Sequence, residues 1–433
     1  MKSASPAPAQ FSGLTKGLPL SVDSIALSEI GARGWNILRE DLPLPAAILR
    51  SSALKQNTKI MRDFLASSGA FLCPHGKTTM SPQLFQRQMD DGAWGLTVAT
   101  PQQLRVARSF GHNRILLANQ LTGRLAIRYV LDELRSDPSL DFYCLVDSVD
   151  GVHHLLDEIQ KNETSRPVQV LLEVGSQGLR CGCRTKEEAL RVARAVCASG
   201  SRLALRGMEG FEGLFRFPTQ TGQTDPVTGF LQFLVEVVQL IEKERLFANG
   251  EILLTAGGSS YFDLVAKVLR TASLTSATRV VLRSGCYLIH DSGMCVRFEH
   301  DRQNRMGQSG DAEAAKAEAA LEVWTYVQSV PEATLAILTA GRRDCGHDAG
   351  LPIPLKWFRP GLHARPRALS SDYVVTALSD QHAHMQIPAS HNLKVGDLVG
   401  LGISHPCTTF DKWRLVLVVD DEYNVTSAVE TCF

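Results

Sequence analysis

The residues best equipped for chemistry stand in three short stretches. The first is Cys73-Pro74-His75-Gly76-Lys77-Thr78-Thr79, directly after the apolar run Gly69-Ala70-Phe71-Leu72, which reads as a buried strand. Pro74 and Gly76 bar regular structure, so Lys77 falls on a loop at the carboxyl end of that strand. An amine there is a potential nucleophile toward a carbonyl; by position alone it is an ordinary solvated lysine. The second stretch is a pair of glycine turns. Ile252-Leu253-Leu254-Thr255 opens into Ala256-Gly257-Gly258-Ser259-Ser260, and Val280-Val281-Leu282-Arg283 opens into Ser284-Gly285-Cys286-Tyr287. Glycines let backbone N–H groups approach an anion, and a following helix adds its dipole. Each turn alone is no more than a strand-to-helix connection. The third is His405-Pro406-Cys407, after Gly400-Leu401-Gly402, an imidazole and a thiol at metal-ligand spacing. Isolated His and Cys residues are mostly structural, so this pair alone is weak evidence of metal.

These residues must be positioned by the elements around them. Residues 44–50 read as a strand, followed by a helix capped by Ser51 or Ser52 with Leu54, Ile60, Met61 and Phe64 on its apolar side. Strand patterns then recur near 69–73, 94–99, 114–118, 141–147, 168–174, 203–209, 251–256 and 279–284. Helical patterns such as 101–110, 185–199, 226–246 and 260–271 lie between them. Short apolar strands alternating with amphipathic helices imply right-handed βαβ units and a parallel sheet. About eight such units favour a closed (β/α)8 barrel over an open sheet. Residues 300–318 turn polar, then Ala/Glu/Lys-rich, and read as a surface excursion. Beyond them lie β-like runs at 320–330, 334–339, 373–378, 398–401, 413–419 and 423–428, separated by turn residues. The expected organisation is α/β: a leader, residues 1–43, partly joining a β domain; a (β/α)8 TIM-type barrel over 44–290; and a mostly β C-terminal domain over 291–433.

Ligands of such barrels sit at the carboxyl ends of the strands, with phosphate often held after the last two. A lysine on an early strand end, facing a phosphate cup on the late ones, is the arrangement of a Schiff-base lysine with pyridoxal 5'-phosphate. At that point the chain resembles the fold-type III pyridoxal phosphate enzymes, in the branch of D-serine dehydratase and D-threonine aldolase. The matching segments are Pro74-His75-Gly76-Lys77-Thr78, Gly95-Leu96-Thr97-Val98-Ala99-Thr100, Glu173-Val174-Gly175 with Arg180-Cys181-Gly182, Gly285-Cys286-Tyr287, and Ser404-His405-Pro406-Cys407. They extend over roughly residues 40–410. The resemblance implies that Lys77 binds the cofactor and serves in catalysis. It places Arg180 near the cofactor's phenolic oxygen, and Gly257, Gly258, Ser259, Gly285 and Tyr287 at its phosphate. The family usually has arginine before Pro-His, where Cys73 stands here. By the same resemblance His405 and Cys407 occupy a metal position. Thiolate plus imidazole suits Zn2+, whereas imidazole plus carboxylate suits Mn2+ or Mg2+. His382 matches a family Glu-His pair whose carboxylate is here Gln381, and Asp344 to Gly350 match a family segment of unassigned role. A homodimer is implied as well.

Composition bounds the alternatives. Lys+Arg and Asp+Glu are 45 each, so no global field recruits nucleic acid or an anionic membrane. No run reaches the length of a membrane span, and residues 1–17 lack a signal-peptide core. Ten scattered cysteines, with Cys73, Cys144 and Cys286 assigned to strands, read as reduced, buried thiols of a cytoplasmic protein. Cys181-Gly182-Cys183 reads as structural rather than redox-active, His153-His154 as a solvated helix face, and Arg342-Arg343 as a surface pair. The leading function is a zinc- and pyridoxal phosphate-dependent lyase eliminating water from a small D-3-hydroxy amino acid. Its rivals are retro-aldol cleavage at the same site and a noncatalytic pyridoxal phosphate-binding protein. The large second domain and the His-X-Cys motif argue against the last.

Overall fold

Eight short apolar runs become eight parallel strands in the computed structural model, which describes residues 9–162, 164, 166–215, 226–305 and 316–433. In chain order they are Phe71–Leu72, Leu96–Val98, Arg114–Gln120, Asp141–Val146, Val168–Val174, Leu203–Gly210, Ile252–Ala256 and Thr278–Leu282. From Leu96–Val98 onward each pairs with its successor, and Thr278–Leu282 pairs with Phe71–Leu72. The circle closes where His75 bridges Thr97, with Trp94 N–H donating to Leu72 O at 2.6 Å and Thr97 N–H to Pro74 O at 2.9 Å. The first strand is short because Pro74 has no N–H to continue the ladder. Cys73, just past the first strand, packs in one buried cluster with Leu116, Tyr143, Leu145 and Leu171 from the third to fifth strands and Leu253 and Val281 from the last two. All eight strands read from the sequence are present.

The helices between them follow the same local logic. Pro101–Ser109 starts at Thr100, whose hydroxyl accepts from Gln103 N–H. Lys186–Ala198 carries a full capping box, Thr185 with Glu188. Pro226–Lys243 buries Phe230, Leu231, Leu234, Val237, Val238 and Ile241 along one stripe. None of the described helices is long and apolar enough to cross a membrane.

Among the described residues, 63–77 and 88–285 form one compact unit, and 9–62, 78–87 and 286–433 form another. The second unit holds a ten-stranded sheet whose central strand, Leu321–Glu332, pairs antiparallel with Leu398–Gly402 and Leu335–Leu338. Trp324, Ile48, Leu398, Leu415 and Leu417 lie in its core.

Four features depart from the sequence reading. Ala46–Arg50, placed at the start of the barrel segment, pairs instead with Leu321–Glu332 and Leu415–Val419 in the second unit's sheet. A buried apolar run says only that it is a strand; its partners lie hundreds of residues away. Residues 300–305 of the expected polar excursion are the end of a helix, Met294–Arg305, while residues 306–315 of that stretch, like leader residues 1–8, lie outside the described residues. Strands Ile353–Phe358 and Ala383–Gln386 are additional. Cys286 lies past the strand end in a turn and is half-buried; Cys181 is exposed while Cys183 is buried.

Candidate functional site

Lys77 lies in a single 3-10 turn, Gly76–Thr78, after the first barrel strand. The residues around this end of the barrel carry an unusual density of buried charge. Glu173 and Glu209, on adjacent strands, are register partners. Burial first, then the Glu209 carboxylate, pushes Glu173 up to about 8. Burial likewise raises Glu209, against the pull of Arg283 and Arg180. Arg283 is 2% exposed and bonds Glu209 Oε1 and Gly210 O, the latter at 2.9 Å. His75 is driven well below its ordinary value by burial, then by the charges of Lys77, Arg283 and Arg180, so its ring stays neutral at pH 7. Four buried atoms here have no hydrogen-bond partner among the described residues: His75 Nδ1, Arg283 Nε, Glu209 Oε2 and Glu212 Oε2. Orphaned buried polar atoms call for a polar ligand or water. A cluster of Lys77, Arg180, Arg283 and an unsatisfied imidazole suits an anionic, heteroatom-rich group such as pyridoxal phosphate.

The expected phosphate residues need one amendment. Arg180 is on the loop after Val168–Val174, its guanidinium 4.4 Å from the Phe211 ring centroid. Gly257, Gly258 and Ser259 follow Ile252–Ala256 as expected, and Gly285 and Tyr287 follow the last strand. Gly258 N–H, however, donates to Glu212 Oε1 at 2.7 Å. The buried carboxylate of Glu212 requires donors, and it has taken one expected to face phosphate. Gly257 is required for a different reason: a Cβ there would stand 2.6 Å from Arg283 Cβ and 2.8 Å from its Nε. Gly257→Ala should therefore cost ~1–3 kcal/mol, read as a lowered denaturation midpoint. An unchanged midpoint would show that Arg283 yields readily.

In the second unit, His405 is the N-cap of a short helix, Pro406–Phe410, with Pro406 at its first position and Cys407 in its first turn. Cys407 Sγ lies 3.8 Å from Cys286 Sγ and 3.6 Å from Thr78 Oγ1. His405 Nδ1 is 2.6 Å from Asp348 Oδ2. The Cys286 hydrogen bond first, then His405 and Thr78, hold the Cys407 thiol down at about 4. Cys407 first, then Asp348, lifts the His405 ring to about 9. Without metal the two form a thiolate–imidazolium pair, and the same atoms are the soft donors a zinc-like ion prefers. Cys286 is pushed well above its usual range, by its bond to Cys407 and then by burial. In metal-free protein, alkylation of Cys407 should stay nearly flat from about pH 8 to 5 and fall as pH drops through about 4, where the thiolate protonates. Peptide mapping would reveal it. A rate rising roughly tenfold per pH unit over that range, as for an ordinary thiol, would refute the pairing.

Sequence reasoning missed Thr78, Cys286 and Asp348 as neighbours of the His-X-Cys pair, although the first two stand in quoted motifs and Asp348 in the quoted segment Asp344 to Gly350. His382 lies in the turn between Val374–Leu378 and Ala383–Gln386, where its carbonyl accepts from Ser379 N–H. His153 and His154 are exposed on helix Val149–Lys161, and Arg342 and Arg343 are exposed. Another ligand-type group, Asp147, Glu173 and Cys181, brings its donor atoms within 4.8 Å of one another. There Asp147 Oδ2 accepts from Gly182 N–H and Glu173 Oε2 from Gln120, so these carboxylates serve the loop and barrel.

Comparisons with known proteins agree with this architecture. The profile of the family described as "Alanine racemase, N-terminal domain" matches residues 49–265, and that of "Putative serine dehydratase domain" matches residues 320–419. The chain is 25% identical over 323 residues to 3-hydroxy-D-aspartate aldolase of Paracoccus denitrificans, covering 72% of this chain and 76% of the relative. D-threonine aldolase from Filomicrobium marinum superposes with a TM-score of 0.70 at 20% identity, covering 90% of this chain and 95% of that one. D-threo-3-hydroxyaspartate dehydratase from Delftia sp. HT23 gives 0.67 at 19% identity, covering 92% and 99%. At these identities the solved structures speak for the fold.

Proposed function

Because the chain belongs to the fold-type III family of pyridoxal phosphate enzymes, joining an alanine racemase-type N-terminal domain to a serine dehydratase-type domain, we propose that it is a lyase of D-3-hydroxy amino acids. It removes water from the substrate to leave, after hydrolysis of the resulting enamine, a 2-oxo acid and ammonia. The observation that carries this form of the reaction is the pairing of His405 and Cys407 at the start of one short helix, clustered with Asp348, Cys286 and Thr78. Zinc is the metal that pair suits best, ahead of Mn2+ or Mg2+, and a homodimer is the assembly implied by the family resemblance.

Pyridoxal phosphate held on Lys77 supplies an electron sink for the charge left when the Cα proton departs. A divalent metal on His405 and Cys407 supplies a Lewis acid for the departing 3-hydroxyl. The remaining work falls to the chain's own groups. Lys77 Nζ would be the base that takes the Cα proton. His75, kept neutral by burial and three neighbouring cations, offers a hydrogen bond without adding charge. Arg180, braced on Phe211, is assigned to the cofactor's phenolic oxygen. Gly257, Ser259, Gly285 and Tyr287 are assigned to the phosphate, with Gly258 serving Glu212. Asp348 stands against His405 and Thr78 against Cys407, the two side chains assigned to the metal.

Retro-aldol cleavage is the second reading, favoured by the similarity to a protein named 3-hydroxy-D-aspartate aldolase. Product analysis decides between them. D-serine, D-threonine, D-3-hydroxyaspartate and D-glucosaminate would each be incubated with and without a chelator. Ammonia with a 2-oxo acid supports elimination; glycine with an aldehyde replaces it by the aldolase.

A further inference from the structure

The segment from Gly341 to Gly350 has no role assigned by its sequence, yet it is fastened to the His-X-Cys turn at four points. Ser404 Oγ donates to Gly350 O, His405 Nδ1 to Asp348 Oδ2, Thr408 Oγ1 to Asp348 Oδ1, and Gly346 N–H to Thr409 Oγ1. Both bonds to Asp348 are 2.6 Å long. The approach is close enough to need a glycine: a Cβ on Gly346 would lie 2.4 Å from Thr408 Oγ1 and 2.9 Å from His405 O. The segment is anchored in turn. Trp413 Nε1 donates to Asp344 O at 2.9 Å, and Asp344, with a side chain 1% exposed, bonds Gly341 N–H at 2.9 Å and pairs with Lys16 at 3.0 Å.

From this clasp we propose that Asp348 is a positioning residue of the metal site, fixing His405 with its proton on Nδ1 and its Nε2 directed to the metal. The inference rests on the reading of His405 and Cys407 as metal ligands given above. An ionised carboxylate only accepts hydrogen bonds, so the ring nitrogen facing it carries the hydrogen and the other keeps its lone pair. Thr408 holds the second carboxylate oxygen, so the carboxylate cannot rotate away from the imidazole. Because Thr408 directly follows Cys407, one carboxylate braces the turn that bears both ligands. Carboxylate–histidine–metal chains of this kind raise ligand basicity and fix ring orientation.

The competing account is a surface ion pair. The Asp348 side chain is 51% exposed, and such a pair contributes little to stability and nothing to metal affinity. The two accounts separate in a zinc competition titration. Full-length, cofactor-loaded protein is stripped of metal and titrated with zinc against a chromophoric chelator, for the unmodified chain, Asp348→Ala, Asp348→Asn and Thr408→Val. The brace predicts a zinc dissociation constant weakened ~10–100-fold in Asp348→Ala. Thr408→Val should fall between that variant and the unmodified chain. Asp348→Asn should recover part of the loss, because the amide still offers an oxygen to the ring without the charge. The cofactor absorbance and the melting temperature of the metal-free protein should match across the series, which removes misfolding as an explanation. Zinc affinity in Asp348→Ala within about threefold of the unmodified chain overturns the proposal while leaving the metal site standing. If the unmodified chain binds no stoichiometric zinc, the metal reading and the brace fall together.

Discussion

Replacing Lys77 with alanine removes the cofactor's absorbance band and lowers turnover by ~10⁴-fold or more. Under the proposed function two losses combine in this one side chain: the covalent attachment of the cofactor, and the amine proposed to take the Cα proton. Base removal alone is worth ~10²–10⁴-fold, and loss of the attachment adds to it. The replacement should fold normally, because Lys77 lies in a three-residue turn rather than in the barrel core, and the barrel closure next to it is made by His75 and Thr97. Lys77→Arg keeps the positive charge beside His75 and should be nearly as inactive, which separates loss of the nucleophile from loss of the charge. Borohydride treatment of the loaded protein, followed by peptide mapping, should place the label on Lys77. A label on another lysine, or an alanine variant within tenfold of normal turnover, removes Lys77 from the chemistry.

The parts of this protein that were legible in its sequence are those decided by local pattern. Each barrel strand is an apolar run bounded by glycine, proline or polar residues, and each partner in the barrel is the next such run along the chain. Pattern and pairing therefore give the same answer, except at the closure, where the last strand returns to the first. Ala46–Arg50 has the same apolar texture but pairs with strands beginning at Leu321 and Leu415, and nothing in five residues encodes so distant a partner. Ile353–Phe358 escaped because Pro354 and Lys356 break its apolar run, yet its pairing with Leu398–Gly402 tolerates a register shift between those residues. At the sites the division is the same. Lys77 stands out because Pro74 and Gly76 force a loop at a strand end. The Asp348–His405 bond joins residues 57 positions apart, and Glu212 reaches Gly258 across 46. Such contacts depend on where loops land, which residue types alone do not state. Gly346 was the available hint: the glycine within Cys345-Gly346-His347-Asp348 stands where a Cβ would lie 2.4 Å from Thr408 Oγ1.

Loss of Cys407 should separate the two cofactors' contributions. Cys407→Ala is expected to lower turnover by ~10²–10⁴-fold, the range of a Lewis acid worth several kcal/mol to a transition state. The absorbance of cofactor bound to Lys77 should persist, because His405 and Cys407 are assigned to the metal and not to its attachment. The fold should survive too: Thr78 Oγ1 and Cys286 Sγ remain within 3.7 Å of each other and keep a partner when the third member of the cluster is gone. A chelator acting on the unmodified chain should reproduce the variant, and added zinc should restore activity to the chain but not to Cys407→Ala. Cys407→Asp offers a harder donor in nearly the same place, favouring Mn2+ or Mg2+ and shifting the product balance toward aldol cleavage, since a harder ion holds an alkoxide in place rather than helping hydroxide leave. The decisive measurement is the product ratio, 2-oxo acid against aldehyde, for each metal and each variant. Full activity in metal-free protein, or a Cys407→Ala variant that turns over normally, would remove the metal from the reaction and leave a lyase driven by Lys77 and its cofactor alone.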